Sequence, residues 1–143
     1  MSNKLGLAIA IAAEAFKDKT DKSGRPYILH CLWVMDGVKH LGDDVMIAAV
    51  LHDLVEDTDW TFSQLTDMGF SDKVIGILYL LTHDKNTPYD EYIKAISVSK
   101  EATAIKLKDL EHNSNISRLK GLRKKDFDRM EKYHRSYIYL SEI

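Results

Sequence analysis

Apolar residues recur at three- and four-residue steps along most of the chain, the spacing that places side chains on one face of an α-helix. The first such segment runs from Leu5 to Phe16. A second runs from Ile28 to Leu41, where Gly42 follows as a stop signal. The residues between them, 18–26, are polar and end in Gly and Pro positions typical of a loop. Two helices joined by this loop are therefore predicted.

The same spacing continues to the end of the chain. Asp43 or Asp44 can cap a third helix, which we predict to run on through the segment AVLHDLVEDT. Three further helices are predicted from their start signals: one over Thr61 to Met68, one capped by Ser71, and one beginning at Thr87-Pro88.

Two segments near the C-terminus need separate interpretation. Ile105 to Leu110 alternates apolar and polar residues as a strand does, but the chain offers no partner strand, so we predict a helix. The last segment carries an amphipathic stripe, which suits the core or a dimer surface: Phe127, Met130, Tyr133, Tyr137 and Leu140. The expected fold is a single all-α helical bundle over residues 1–143.

Composition narrows the function classes. The chain has 143 residues, 45% of them hydrophobic, and a formal net charge of -2, so bulk charge gives no reason to expect nucleic-acid binding. The basic run Lys120 to Lys125, with Arg129, is interpreted as a solvated loop and helix start. No apolar run is long enough for a membrane span. One cysteine, Cys31, fits a reducing, cytoplasmic location and a packing role.

Four ionisable residues interrupt the apolar third helix. As a helix, His52 and Glu56 form one i,i+4 pair, and Asp53 and Asp57 form another. Three acidic groups on one face repel each other unless a cation binds there. Because a solvated helix end accounts poorly for this cluster among its apolar neighbours, the segment indicates a metal site.

One helical face cannot surround an ion, so other segments must supply ligands. His30 stands at the start of the second helix, and Asp109 interrupts the apolar residues of KLKDLEHN. Two imidazoles, from His30 and His52, and two carboxylates, from Asp53 and Asp109, would neutralise a divalent ion. They would also leave positions for water and substrate.

The segments SGRPYILH, AAVLHDLVEDT and IKLKDLEHN, in this order, resemble the HD-domain metal-dependent phosphohydrolases. The resemblance covers nearly the whole chain and is closest to short stand-alone members of the RelA/SpoT-type branch. The hydrolase domains of that branch remove the 3′-pyrophosphate of the alarmone guanosine tetraphosphate or pentaphosphate. The chain is too short for the synthetase domain of large bifunctional relatives, so hydrolysis is the expected direction.

The resemblance implies roles for particular residues. His30, His52, Asp53 and Asp109 would bind the metal, which is manganese in this branch. Glu56 and Asp57 would orient or deprotonate the attacking water. Candidate substrate-binding residues are Lys22, Lys85, Asn113 and Arg118, and His112 is expected to lie behind the metal ligands or in the core. A nucleotide is thus the expected partner, and a homodimer is possible.

Three positions depart from the family pattern. Asp21 replaces an arginine that packs on guanine in the alarmone hydrolases, Asn115 replaces a second arginine, and Cys31 replaces a proline. Arg25 could substitute for the first arginine. If Asp21 repels a polyanionic substrate, Asp21→Arg should tighten binding. Two alternatives stay open: a phosphohydrolase for another nucleotide, and a non-catalytic metal-binding HD module.

Overall fold

The computed structural model describes residues 4–143, and their regular structure is helical, apart from one isolated bridge between Thr20 and Pro26. The all-α prediction is confirmed. In chain order the α-helices are α1 Leu5–Ala15, α2 Ile28–Gly37, α3 Asp43–Val50, α4 Leu54–Asp57, α5 Phe62–Asp67, α6 Asp72–Leu81, α7 Tyr89–Ile96, α8 Lys100–Asn113 and α9 Lys124–Ser141. Two 3₁₀ turns, Lys39–Leu41 and Ile116–Arg118, complete the regular elements.

Helix α3 lies at the centre and packs against α1, α2 and α6, while α8 packs against α2, α6 and α9. The residues of α3 from Ile47 to Val50 are almost entirely buried, and Leu51 and Leu54 continue this core beyond the helix end. Burying each of the isoleucine, valine and leucine side chains among them contributes roughly 1.5–3 kcal/mol of transfer free energy. The core therefore holds rigidly the short segment that carries His52 and Asp53.

Two of the predicted N-cap residues, Thr61 and Ser71, make the expected hydrogen bonds to the first turn of their helices. Thr61 accepts a hydrogen bond from the Gln64 N–H at 3.1 Å while Gln64 accepts one from the Thr61 N–H, so both sides of a capping box form. Ser71 caps α6 through the Val74 N–H at 3.2 Å. By contrast, α3 follows Gly42, whose φ of 97° suits glycine, and Asp43 and Asp44 lie in its first turn.

Two predicted helices are shorter in the structure. The second ends at Gly37 and continues as a 3₁₀ turn to Leu41. The third does not run through AVLHDLVEDT, because it ends at Val50 and α4 begins at Leu54. Between them the His52 N–H bonds to the Ala49 carbonyl and the Leu54 N–H to the Leu51 carbonyl, the i,i−3 pattern of a tightened turn.

The C-terminal predictions hold in most positions. Ile105 to Leu110 lies within α8, as predicted. On α9, Leu140 is buried and Met130, Tyr133 and Tyr137 are partly buried, but Phe127 is 58% exposed and does not belong to the packed stripe. Among residues 4–143 no helix combines the length and apolar composition needed to cross a membrane.

Candidate metal centre and active site

Four predicted ligands meet at one point in the structure. One ligand atom from each of His30, His52, Asp53 and Asp109 lies within 4.8 Å of the other three. The Nε2 atoms of His30 and His52 lie 2.9 and 3.3 Å from Oδ1 of Asp109. These residues come from α2, the α3–α4 turn and α8, and the packing of α8 and α3 on α2 brings them together.

The break after α3 brings the His52-Asp53 doublet to a common point. In a continuous α-helix, adjacent side chains diverge by about 100° around the axis. In the tightened turn, Nε2 of His52 lies 3.0 Å from Oδ2 of Asp53. The i,i+4 face predicted for these residues was therefore the wrong geometry, although the residues themselves converge.

Each imidazole uses its second ring nitrogen to hold its orientation. Nδ1 of His52 donates to the Ala49 carbonyl at 2.6 Å, which directs Nε2 toward the cluster. Nδ1 of His30 lies 2.7 Å from Nδ1 of His112, and the Trp33 ring stacks on His112 at 4.5 Å between centroids. As expected, His112 stands behind the cluster.

Asp109 is the most connected member of the cluster. Its Oδ2 accepts a hydrogen bond from Nζ of Lys106 at 2.9 Å, and its Oδ1 accepts one from Nδ2 of Asn113 at 3.0 Å. Burial opposes ionisation, but Lys106, His52 and His30 outweigh it and hold the pKa of Asp109 well below its ordinary value. The carboxylate is therefore fixed and ionised, as a metal ligand must be.

Tyr27 fixes the other carboxylate. Its hydroxyl donates to Oδ2 of Asp53, and its ring packs on Phe16 at 5.1 Å between centroids. Burial and the adjacent Asp53 raise the pKa of Tyr27 far above its ordinary value, so the phenol stays protonated and acts as a donor. Asp53 is thereby held by a hydroxyl from α2's N-terminal side as well as by His52.

The donor set fits a cation. Burial opposes a charge on His52, yet the carboxylates of Asp53 and Asp109 outweigh it and raise the pKa of His52 well above its ordinary value. The cluster thus attracts positive charge strongly enough to overcome desolvation. Two imidazole nitrogens with two carboxylates suit Mn²⁺, Fe²⁺ or Zn²⁺ better than Ca²⁺.

Glu56 and Asp57 lie beside the cluster in different environments. Oε1 of Glu56 accepts the His83 backbone N–H at 2.7 Å, which anchors that oxygen to the loop after α6. Burial, opposed by this hydrogen bond and assisted by Asp53 and Asp57, raises the pKa of Glu56. Asp57 instead pairs with Nζ of Lys19 at 3.2 Å. The two acidic side chains therefore have different partners: a backbone N–H for Glu56 and a lysine for Asp57.

A cleft of about 600 Å³ opens over the cluster and these two acids. Of the predicted substrate-binding residues, Lys22, Asn113 and Arg118 line it. Lys85 does not line the cleft and lies exposed in the loop after α6. Asn113 reaches the cleft with its amide on Asp109, so its contact in the structure is with a candidate ligand.

Asp21 is a structural residue of the loop over the cleft. Its Oδ1 accepts hydrogen bonds from the Ser23 and Arg25 N–H groups, at 2.9 and 3.0 Å, and its Oδ2 accepts one from Arg118 at 2.8 Å. Partial burial opposes its ionisation, but these bonds outweigh it and hold the pKa of Asp21 well below its ordinary value. Its charge is thus already compensated, and the expected gain from Asp21→Arg no longer follows.

The structure adds residues that sequence reasoning missed. Nζ of Lys19 lies 4.2 Å from the centroid of the Tyr27 ring and also donates to the Asp57 carboxylate. Nζ of Lys106 donates to the Asp109 carboxylate. Tyr27 and Lys106 fall inside the segments SGRPYILH and IKLKDLEHN, and that position was the available signal. Nothing in the local sequence separates Lys19 from Lys22, because both are lysines of the same polar loop.

Comparison with known proteins agrees with this geometry. The model of the family described as HD domain matches residues 8–107. A guanosine-3′,5′-bis(diphosphate) 3′-pyrophosphohydrolase MESH1 of Danio rerio is 35% identical over 116 residues, which are 73% of this chain and 64% of that protein. The Xenopus tropicalis protein of the same name is 35% identical over 74% of this chain and 65% of its own length. The chain thus spans slightly less than two thirds of these curated relatives.

A solved structure has the same fold. It is described as a metazoan ortholog of SpoT that hydrolyses ppGpp and plays a role in starvation responses. The superposition covers 98% of this chain and 86% of that one, with a TM-score of 0.79 and 24% sequence identity. The helical arrangement is therefore shared across nearly the whole chain.

Proposed function

The chain belongs to the HD domain family, and from this premise we propose that it is a metal-dependent phosphohydrolase acting on a nucleotide. We propose the 3′-pyrophosphate of guanosine tetraphosphate or pentaphosphate as the group removed. The observation that carries the proposal is the meeting of four ligand atoms within 4.8 Å beside Glu56 and Asp57, at the floor of a cleft large enough for a nucleotide.

His30, His52, Asp53 and Asp109 would hold the ion, which we propose to be Mn²⁺. Bound there, the ion would supply a positive charge that activates water and offsets charge on the phosphate oxygens. The protein's part is orientation. Ala49 and His112 direct the two imidazoles, while Tyr27, Lys106 and Asn113 direct the two carboxylates.

Glu56 is the proposed general base. Its Oε1 is held by the His83 N–H, which leaves Oε2 to accept a proton from the attacking water. The raised pKa of Glu56 suits proton acceptance better than that of an isolated surface carboxylate would. Asp57, paired with Lys19, is proposed to align the water and to place a cation at the edge of the cleft.

Positive side chains in the cleft are proposed to hold the phosphate oxygens. Lys22 and Arg118 line the cleft at its loop side, and Lys106 lies on the Asp109 side. Arg118 is bound to Asp21 and to the His112 carbonyl at 2.8 Å, so its guanidinium is already oriented before a ligand arrives. Such preorganised cations stabilise developing negative charge without a reorganisation step.

A phosphate-release screen on metal-loaded protein tests this proposal. The panel contains guanosine tetraphosphate, guanosine pentaphosphate, GTP, ATP and 3′-phosphorylated adenine nucleotides. Release of pyrophosphate and GDP from guanosine tetraphosphate is the expected result. Hydrolysis of another nucleotide alone would replace the alarmone as substrate. Metal binding with no turnover on any nucleotide would favour a non-catalytic HD module.

The panel includes nucleotides with a base other than guanine because of Asp21. The arginine that packs on guanine in the alarmone hydrolases is absent, and Asp21 is committed to the loop and to Arg118. A different base is therefore a specific alternative. A cytoplasmic location and a homodimer stay predictions, and sedimentation equilibrium tests the second.

A further inference from the structure

A second concave site adjoins the cleft on the side of the last helix. The basic pocket, as we call it, has a volume of about 450 Å³ and is lined by five cationic side chains and one carboxylate: Lys22, Lys120, Arg123, Lys125, Arg129 and Asp126. It shares Lys22 and Arg129 with the cleft, so the two sites are continuous. The basic run that its composition alone marked as a solvated loop thus forms one wall of a pocket.

Of the five cations that line this pocket, only Arg129 pairs with a carboxylate among the described residues, that of Asp126. Within residues 4–143, no carboxylate forms a salt bridge with Lys22, Lys120, Arg123 or Lys125. Asp126 is already occupied, because it accepts hydrogen bonds from the Arg129 guanidinium and from the Arg123 N–H at 2.9 Å. Other basic residues near the cleft are paired, as Lys19 with Asp57 and Arg118 with Asp21 show.

Burial and the neighbouring cations both disfavour the charged form of Lys22. Burial lowers the pKa of Lys22, and Arg129, Lys125 and Lys19 lower it further, while Asp126 opposes them. Helix α9 begins at this pocket, so the positive end of its helix dipole adds to the positive charge. An anion with more than one charge would relieve this repulsion, and the volume exceeds what a single chloride needs.

We propose that the basic pocket binds a phosphate or diphosphate group of the nucleotide other than the group that is hydrolysed. The inference rests on the proposed function, because its ligand is the same nucleotide that reaches the metal centre. With guanosine tetraphosphate the 3′-pyrophosphate would lie at the cluster, and the 5′-diphosphate would enter the pocket past Lys22. The pocket would thus select nucleotides that carry two separate phosphate groups.

The test measures binding of GDP and of guanosine to the manganese-loaded protein by calorimetry. GDP carries the 5′-diphosphate without a scissile 3′ group, and guanosine carries neither. Arg123→Gln and Lys125→Gln should each weaken GDP binding by about fivefold or more, since each removes a charge-assisted contact to phosphate. Guanosine binding should change by less than about twofold, because a neutral nucleoside brings no charge to the pocket.

Lys124→Gln is the matched control. Lys124 precedes Lys125 on the same helix and carries the same charge, but it pairs with Asp128 at 3.1 Å and does not line the pocket. The GDP affinity of the Lys124→Gln variant should stay within about twofold of that of the unsubstituted protein, as expected for the loss of a solvent-screened charge. An equal loss in all three variants would mean a general field effect and would overturn the pocket. GDP binding unchanged in Arg123→Gln and Lys125→Gln would overturn it as well.

The outcome is separable from that of the proposed function. Hydrolysis of guanosine tetraphosphate with unchanged GDP binding in the variants would remove the pocket and keep the function. Pocket-dependent GDP binding without any hydrolysis would keep the pocket and remove the function. Melting temperatures of the Lys124 and Lys125 variants should agree with that of the unsubstituted protein, because both side chains are exposed.

Discussion

The Asp21 carboxylate accepts a hydrogen bond from the Arg118 guanidinium at 2.8 Å, although the two residues lie 97 positions apart. This contact ties the loop between α1 and α2 to the 3₁₀ turn after α8, beside the cleft that both residues line. It also changes the meaning of the sequence departure at Asp21. A carboxylate that the sequence predicts to repel a polyanion instead binds and orients the guanidinium of Arg118.

Asp21→Arg should therefore lower both the stability of the protein and its affinity for the proposed substrate. The substitution removes the carboxylate that accepts hydrogen bonds from the Ser23 and Arg25 N–H groups and from Arg118, and it sets two guanidinium groups against each other. We expect the free energy of unfolding to fall by about 1–3 kcal/mol and KM for guanosine tetraphosphate to rise. Thermal melts and steady-state kinetics measure both. Asp18→Arg, at an exposed carboxylate of the same loop, is the control, and tighter binding by Asp21→Arg would contradict this role.

Elemental analysis should distinguish the proposed metal ligands from the proposed base. Asp109→Asn and His52→Ala remove ligand atoms, so both variants should lose metal and activity. Glu56→Gln keeps the acceptor for the His83 N–H but cannot take a proton, so metal content should stay near that of the unsubstituted protein while kcat falls by about 10²–10⁴-fold. Elemental analysis and rates on the same preparations decide it. A metal-free Glu56→Gln protein would make this residue a ligand.

Manganese should stabilise the folded protein. An ion that binds the native state alone raises the free energy of unfolding by about 2.7 kcal/mol when its free concentration is about a hundred times Kd. Titration of Mn²⁺ into chelator-treated protein should therefore raise Tm progressively. Asp109→Asn should show no such rise. A Tm independent of Mn²⁺ in the unsubstituted protein would count against the metal centre itself.

Tyr27→Phe isolates a positioning residue. The substitution keeps the ring packing on Phe16 but removes the donor to Asp53. We expect about tenfold weaker Mn²⁺ binding, the usual effect of losing a hydrogen bond to a metal ligand. Competition with a fluorescent chelator measures the affinity. Tyr139→Phe, at an exposed position on α9, controls for loss of a hydroxyl and should bind Mn²⁺ normally.

Substitution of the two lysines predicted to bind substrate, Lys22 and Lys85, should affect KM differently. Lys22 lines both the cleft and the basic pocket, so Lys22→Gln should raise KM for guanosine tetraphosphate by about fivefold or more, the loss of one charge-assisted contact. Lys85 lies outside both, and Lys85→Gln should leave KM within about twofold, since an exposed charge away from the ligand is screened. Initial-rate kinetics at constant ionic strength compares them. A large effect at Lys85 alone would indicate that the loop after α6 closes over the substrate.

The helices were largely predictable from the sequence because their signals are local. Apolar spacing, the Thr61 and Ser71 caps and the position of Pro88 act within one or two turns. The convergence of His30, His52, Asp53 and Asp109 was anticipated too, since a His-Asp doublet among buried apolar residues is costly to bury without a cation to bind; their role as metal ligands stays a prediction. The break between α3 and α4 was not predictable, because the same residues satisfy a continuous helix equally well and only packing and the Ala49 contact select the turn.

What the sequence alone determined was an all-α chain with two histidines and two aspartates available for a metal site. Tertiary structure decided which partners compensate each charge: Asp21 is bound by Arg118, Asp57 by Lys19, and Asp109 by Lys106. It also decided that the run from Lys120 to Lys125 forms part of a pocket. The reason is physical. Helix formation depends on neighbours in sequence, whereas a charge responds to whatever group the fold places within a few ångströms of it.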